Sequence, residues 1–155
     1  MILKSFIIEK NISTLDKYSL TLIYGENIGL KDEIKIEIKK FFKEYEQISF
    51  DQSEILKNEQ LLNEQLYNIS LFSKKKLIFI NEASDKIKKK IEKILENPNL
   101  DYKIILFAQN LEKKSVIRGM FEKAKNTGIV ACYHDTHRNL SEYLRKKLEG
   151  FVNFI

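Results

Sequence analysis

At 155 residues and 18.3 kDa, with 43% hydrophobic and 32% charged residues, the chain has the size and balance of one folded domain and not of a disordered tail. The net charge of +5 invites a nucleic-acid reading, but of the 27 basic residues only Arg118, Arg138 and Arg145 are arginine, and the lysines are spread along nearly every predicted helix. No apolar run reaches the length of a membrane span, the start "MILKSFIIEK" lacks the layout of a signal peptide, and the single Cys132 fits a reducing cytoplasm, which is the expected location.

In chain order, "YSLTLIYG" (18–25) predicts a compact apolar strand that ends in a glycine turn. A long amphipathic helix follows, with Leu30, Ile34, Ile38, Phe41, Phe42 and Tyr45 on one stripe. "QISF" (47–50) is a short second strand, and Asp51 with Glu54 gives a capping-box start to a helix over 52–68. "KKLIFINE" (75–82) is the third strand, feeding a helix from Ser84 whose Ile87, Ile91, Ile94 and Leu95 face one way until Asn97-Pro98 stops it. "YKIILFAQN" (102–110) is the fourth strand. The helix 113–126 buries Ile117, Met120, Phe121 and Ala124, and Thr127-Gly128 reads as its glycine cap. "GIVACY" (128–133) is the fifth strand, and a last helix starts near Asn139, capped by Glu142.

Continuous apolar strands separated by helices predict an α/β fold: a three-layer, doubly wound parallel sheet of five strands. Ligands of such sheets sit at the carboxyl ends of the strands. The apolar close "GFVNFI" reads as the beginning of a further element, hence as part of a longer protein.

The loop after the first strand, "GENIGLKD", tests for a nucleotide site. A phosphate-binding loop reads G-x-x-x-x-G-K-S/T, because its second glycine lets backbone N–H groups wrap the phosphates and its hydroxyl holds Mg²⁺. Aligned on Gly25, Lys31 falls at the phosphate lysine, but Leu30 replaces the glycine and Asp32 replaces the hydroxyl. Asp32 adds a negative charge beside a polyanion. After the third strand, Asn81 stands where a magnesium-holding Asp belongs, and a neutral amide is a weak ligand for that hard cation. Glu82 keeps the position of a water-activating base, without a metal to work beside. The three departures together predict the frame of an ATPase without its hydrolysis.

Other chemistry is thin. His134 and His137 flank Asp135 without a third ligand at metal spacing, and read as an exposed turn. Cys132 beside them could be imagined as a nucleophile, but a buried strand cysteine is the simpler expectation. Leu71 and Phe72 stand beside Lys74, Lys75 and Lys76, one of two dense lysine runs with Lys88, Lys89 and Lys90. Carried through an unbroken helix, Ile55, Leu62, Leu66 and Ile69 share one stripe, while Leu71 points nearly opposite and Phe72 a quarter-turn away. The pair is then either an exposed anchor for a partner or, if the helix stops by Asn68, apolar filling beneath the sheet.

The stretches "LIYGENIGLKDEI", "LYNISLFSKKKLIFINEASDKI", "ILFAQNLEKKS" and "ACYHDTHRNLSEYLRKKL" resemble the N-terminal part of the delta subunit of bacterial DNA polymerase III, from Met1 to about Leu148. The "SLF" ahead of the third strand is the most specific element. The resemblance implies an AAA+-type domain that binds no ATP, needs no cofactor and has no catalytic activity of its own within the polymerase holoenzyme. It implies that Leu71 and Phe72 plug a pocket on the ring-shaped sliding clamp, with Ile69 in support, and help to open the ring. It also implies that 1–135 is the AAA+-like, P-loop-NTPase-like α/β domain, that 136–155 is the start of a helical lid, and that the rest of the lid and a collar, outside this chain, join the other clamp-loader subunits, with DNA contact in the assembled complex. Lys74, Lys75 and Lys76 would steer the encounter with an acidic clamp surface. Two rival readings are a working P-loop nucleotide-binding enzyme and a basic nucleic-acid-binding α/β module. Mg²⁺-dependent ATP affinity would favour the first, and DNA affinity with a steep salt dependence the second.

Overall fold

The computed structural model describes residues 2–68, 75–97, 101–134, 141 and 144–149. Its elements run β1 (Ile2–Lys4), α1 (Ser5–Lys10), a 3-10 helix (Ile12–Lys17), β2 (Leu20–Tyr24), α2 (Ile28–Phe41), β3 (Glu46–Asp51), α3 (Gln52–Lys57) and α4 (Gln60–Tyr67). They continue with β4 (Lys76–Asn81), a 3-10 turn (Asp85–Ile87), α5 (Lys88–Glu96), β5 (Tyr102–Ala108), α6 (Val116–Lys123) and β6 (Thr127–Ala131). The strands form one sheet in the order β1-β6-β2-β5-β4-β3, and every pairing is parallel.

Alternation along each strand feeds two layers, as a period of two dictates. Leu20, Leu22 and Tyr24 of β2, Ile78 and Ile80 of β4, and Ile104 and Leu106 of β5 face one way, against Ile55, Leu62, Ile91, Ile117 and Phe121 of α3 to α6. Ile23, Leu77, Phe79, Ile105 and Phe107 face the other way, against Ile8, Leu15, Ile34, Ile38 and Phe42. Each of these side chains contributes about 1.5–3 kcal/mol when fully buried. The doubly wound parallel α/β class read from the sequence is therefore the fold.

The sheet has one strand more than expected. β1 pairs Ile2, Leu3 and Lys4 with Ile129, Val130 and Ala131, and carried no sequence signal because its apolar run passes straight into α1 without a change of period. The helix expected over 52–68 is two helices. Asn58 adopts extended angles (φ −126°, ψ 98°), which ends α3, and its side-chain oxygen accepts from the Gln60 N–H at 3.1 Å as α4 begins. Phase carried across Asn58 therefore has no continuous helix to rest on, although Ile55 and Leu62 are both buried. α4 itself stops at Tyr67, and Asn68 is extended (φ −79°, ψ 123°).

The Asp51–Glu54 capping box is present, with the Asp51 N–H donating to Glu54 Oε2 at 2.7 Å. Thr127-Gly128 is not a helix cap. α6 ends at Ala124 in extended geometry, and Gly128 lies inside β6, where a Cβ would come within 3.0 Å of Thr21 Oγ1 and the Tyr18 ring. Phe41, placed on the core stripe of α2 by spacing, is instead 43% exposed and stacks edge-on against Phe42. Asn139 and Glu142 lie outside the described residues; residues 144–149 are helical and exposed. Among the described residues no helix is long and apolar enough to cross a membrane.

Candidate functional site

A cleft of about 400 Å³ opens at the carboxyl ends of β2, β4 and β5, where a parallel sheet of this kind takes its ligands. It is lined by the loop residues Gly25 and Glu26, by Lys31, Asp32 and Lys35 of α2, by Asn81 and Glu82 after β4, and by Gln109 after β5. Of the residues read from the sequence as a degenerate nucleotide motif, Gly25, Lys31, Asp32, Asn81 and Glu82 line this cleft, while Leu30 is not among its lining residues.

Several of its polar groups are engaged within the chain. Gly25 adopts φ 133°, open to glycine alone, because a Cβ there would land on the Cys132 carbonyl. Its N–H donates to Gln109 O at 3.2 Å, and the Asn27 N–H donates to Cys132 O at 3.0 Å. The Asn27 side chain caps α2 by accepting from the Leu30 N–H at 3.1 Å. The Gly25 and Asn27 N–H groups of this loop are thus directed at carbonyls just beyond β5 and β6. Leu30 is partly buried and packs with the layer of α1 and α2.

Lys31 reaches the end of β5 and donates to Ala108 O at 3.0 Å. Lys35, one helical turn on, was not singled out from sequence, yet it holds the centre of the site. Its ammonium donates to Asn81 Oδ1 at 3.0 Å and lies 5.2 and 5.3 Å from the ring centres of Phe79 and Phe107. Burial pulls its pKa below the usual lysine range, and the neighbouring Lys39 adds to that. The Asn81 amide in turn donates to Ser49 Oγ at 3.0 Å. A cation is therefore already beside Asn81, supplied by the chain itself. Glu82 has φ 55°, a left-handed conformation uncommon outside glycine, and its carboxylate accepts from Gln109 Nε2 at 3.2 Å. The signal for Lys35 was its spacing of four from Lys31 on a helix that leaves the cleft.

Around this cleft the remaining candidates are settled by burial. Cys132 is buried just beyond β6, and burial pushes its thiol up to about 12, which leaves negligible thiolate at neutral pH. His134 is exposed, while Asp135 and His137 lie outside the described residues. Among the described residues no group of three or more His, Cys, Asp or Glu is placed to hold a metal.

The opposite, amino edge of the sheet carries the lysine run. Ile69, Leu71, Phe72 and Lys74 lie outside the described residues, which resume at Lys75. Lys75 is exposed. Lys76, expected as a surface charge, is instead buried as the first residue of β4, and its ammonium donates to Gln65 O at 2.7 Å and Asn68 O at 3.0 Å. It caps α4 and is not available for steering. Tyr67, at the end of α4, stands 76% exposed.

The structure is thus a doubly wound parallel α/β domain with a cleft at the carboxyl ends of its strands, where Lys31 and Lys35 are engaged by Ala108 O and Asn81 Oδ1. The sequence matches the family described as DNA polymerase III, delta subunit, over residues 21–133, and the chain belongs to that family. Among solved structures it is similar to the Bacillus subtilis DNA clamp loader delta protein (YqeN), at 12% identity and a TM-score of 0.67. That likeness covers 90% of this chain but 45% of the other, so the chain spans less than half of that relative's length. No curated protein matches.

Proposed function

We propose that this chain is the clamp-binding part of a clamp-loader delta subunit of the cytoplasmic replication machinery, which grips the polymerase sliding clamp through Leu71 and Phe72 and helps to open the ring without hydrolysing ATP. The observation that carries the reading is family membership over residues 21–133, a range that contains the "SLF" segment and both halves of the altered nucleotide site. The inward-turned cleft supports the second half. Lys31 and Lys35 are engaged by Ala108 and Asn81, so Mg²⁺ and phosphate would have to displace an existing cation and its partners.

On this reading ATP is bound and hydrolysed by neighbouring subunits, joined through a lid and collar that follow residues 1–135. Two apolar side chains seated in a clamp pocket contribute about 1.5–3 kcal/mol each by area. Ring opening follows to the extent that the seated pair fits the open interface better than the closed one. The exposed Lys75 contributes to steering towards an acidic surface, with an effect that fades as salt rises.

The test is binding of the full chain to its cognate sliding clamp, compared with Leu71→Ala plus Phe72→Ala, after thermal melting shows the variant folded. The expected result is an unchanged melt with binding lost. Equal binding by both proteins places the contact elsewhere. A greatly lowered melting temperature makes the pair core filling.

A further inference from the structure

Lys35 is half-buried on α2 and lines the cleft of about 400 Å³ at the carboxyl ends of β2, β4 and β5. Its ammonium rests on neutral groups: it donates to Asn81 Oδ1 at 3.0 Å and lies 5.2 and 5.3 Å from the ring centres of Phe79 and Phe107. The Lys39 ammonium stands over the same Phe79 ring at 5.7 Å, so two like charges share one aromatic face. Among the described residues no carboxylate forms an ion pair with Lys35. Burial, and after it Lys39, favours the neutral amine; Asp32 on the same helix and Asp51 at the end of β3 oppose them more weakly. Of the other charged groups lining the cleft, Lys31 is bonded to Ala108 O, Glu82 accepts from Gln109 Nε2, and Glu26 is exposed at the rim.

We infer that Lys35 is an acylation site, a nucleophilic amine set in a cavity that admits a small activated acyl group carried as an acyl phosphate or a thioester. The Nζ lone pair attacks the acyl carbon. The C–N bond forms as the bond to phosphate or sulfur breaks with its electron pair, and the proton lost from nitrogen ends on the leaving phosphate or thiol. The product is an uncharged amide, which takes away the cation beside Asn81 and leaves Glu26, Asp32 and Glu82 facing Lys31. This chemistry belongs to the carboxyl edge and is independent of the clamp contact proposed above.

Lys103 separates a favoured neutral amine from access to it. Burial also pulls Lys103 below the usual lysine range, but it is 3% exposed and its ammonium is held by Tyr18 O at 3.0 Å and Asp16 Oδ1 at 3.5 Å. Lys57, Lys89 and Lys93 are the opposite case, exposed amines on helix surfaces. An amine must be both deprotonated and reachable to be acylated, and Lys35 combines the two.

The experiment incubates the folded full chain near neutral pH with acetyl phosphate or, in a second arm, with S-acetyl-N-acetylcysteamine, and follows the occupancy of each lysine by peptide mass spectrometry. Lys35 should acylate about three- to tenfold faster than Lys57, Lys89 and Lys93, and Lys103 more slowly than any of them. A preference seen in one arm alone identifies that donor class. The Lys35 rate should level off at a lower pH than the rates of the exposed lysines, a shift that accessibility alone does not produce. Asn81→Asp sets a carboxylate against the ammonium and should slow Lys35 about tenfold while leaving Lys89 unchanged. In the urea-unfolded chain the preference for Lys35 should vanish. If Lys35 acylates no faster than the exposed lysines in either arm, if its preference survives unfolding, or if folded Asn81→Asp keeps the wild-type rate, the inference falls.

Discussion

At the carboxyl edge of the sheet, Lys31 and Lys35 enter an open cleft and are held there by Ala108 O and by the Asn81 side chain. At the amino edge, Lys76 and Lys103 are buried and are held by main-chain carbonyls of α4 and of the 3-10 helix. The first pair occupies the place of a ligand; the second pair holds the scaffold. A cleft can have its cations satisfied within the chain, and a buried lysine can hold two elements together. Side-chain partners, not concavity, distinguish the two.

The contrast can be broken hardest at Gly25. Gly25→Ala places a Cβ on the Cys132 carbonyl at φ 133° and should cost about 3 kcal/mol, read as a lowered urea midpoint with unchanged slope. Clamp affinity per folded molecule should stay the same, since the damage is confined to the carboxyl edge. Asn81→Asp sharpens the comparison next. The new carboxylate pairs with Lys35, so stability should move by less than about 1 kcal/mol. Mg²⁺-ATP should still bind with a Kd weaker than about 1 mM by calorimetry.

The smallest effect concerns Asp85, whose carboxylate accepts from the Ile117 N–H at 3.0 Å and from Ser115 Oγ at 2.8 Å. The Ile117 N–H bond, with the Ser115 hydroxyl, holds its pKa below the ordinary value. A depressed folded pKa gives a stabilisation that is complete above the unfolded carboxylate pKa and is lost as pH falls through the folded one. Asp85→Asn should therefore cost about 0.5–1 kcal/mol near neutrality, a figure reduced for its solvent exposure, and less towards acid pH. Denaturation at pH 7 and at pH 3 checks the sign.

Much of this fold was legible because β2, β4 and β5 are mostly apolar along their length on both faces, which a sheet covered on both sides can use. β1 was not, since three residues leading directly into a helix show no period. The break at Asn58 was hidden because both halves keep their apolar residues on the core side, so the pattern survives while the helix does not. Gly25, Lys31, Asn81 and Glu82 were legible as a site by motif spacing, and they do meet. Lys35 and Lys76 were missed or misplaced for one reason: a lysine reads as solvated in sequence, and only the fold brings a carbonyl or amide within reach of its ammonium.

The most direct measurement sets the two edges against each other in one clamp-binding assay: Leu71→Ala plus Phe72→Ala for the amino edge, Lys31→Ala plus Lys35→Ala for the carboxyl edge, each shown folded by its melt. The account predicts that the first variant loses about two to four orders of magnitude in affinity and that the second binds as wild type. Loss of binding in the lysine variant with the apolar variant unaffected would contradict it and move the partner site to the cleft.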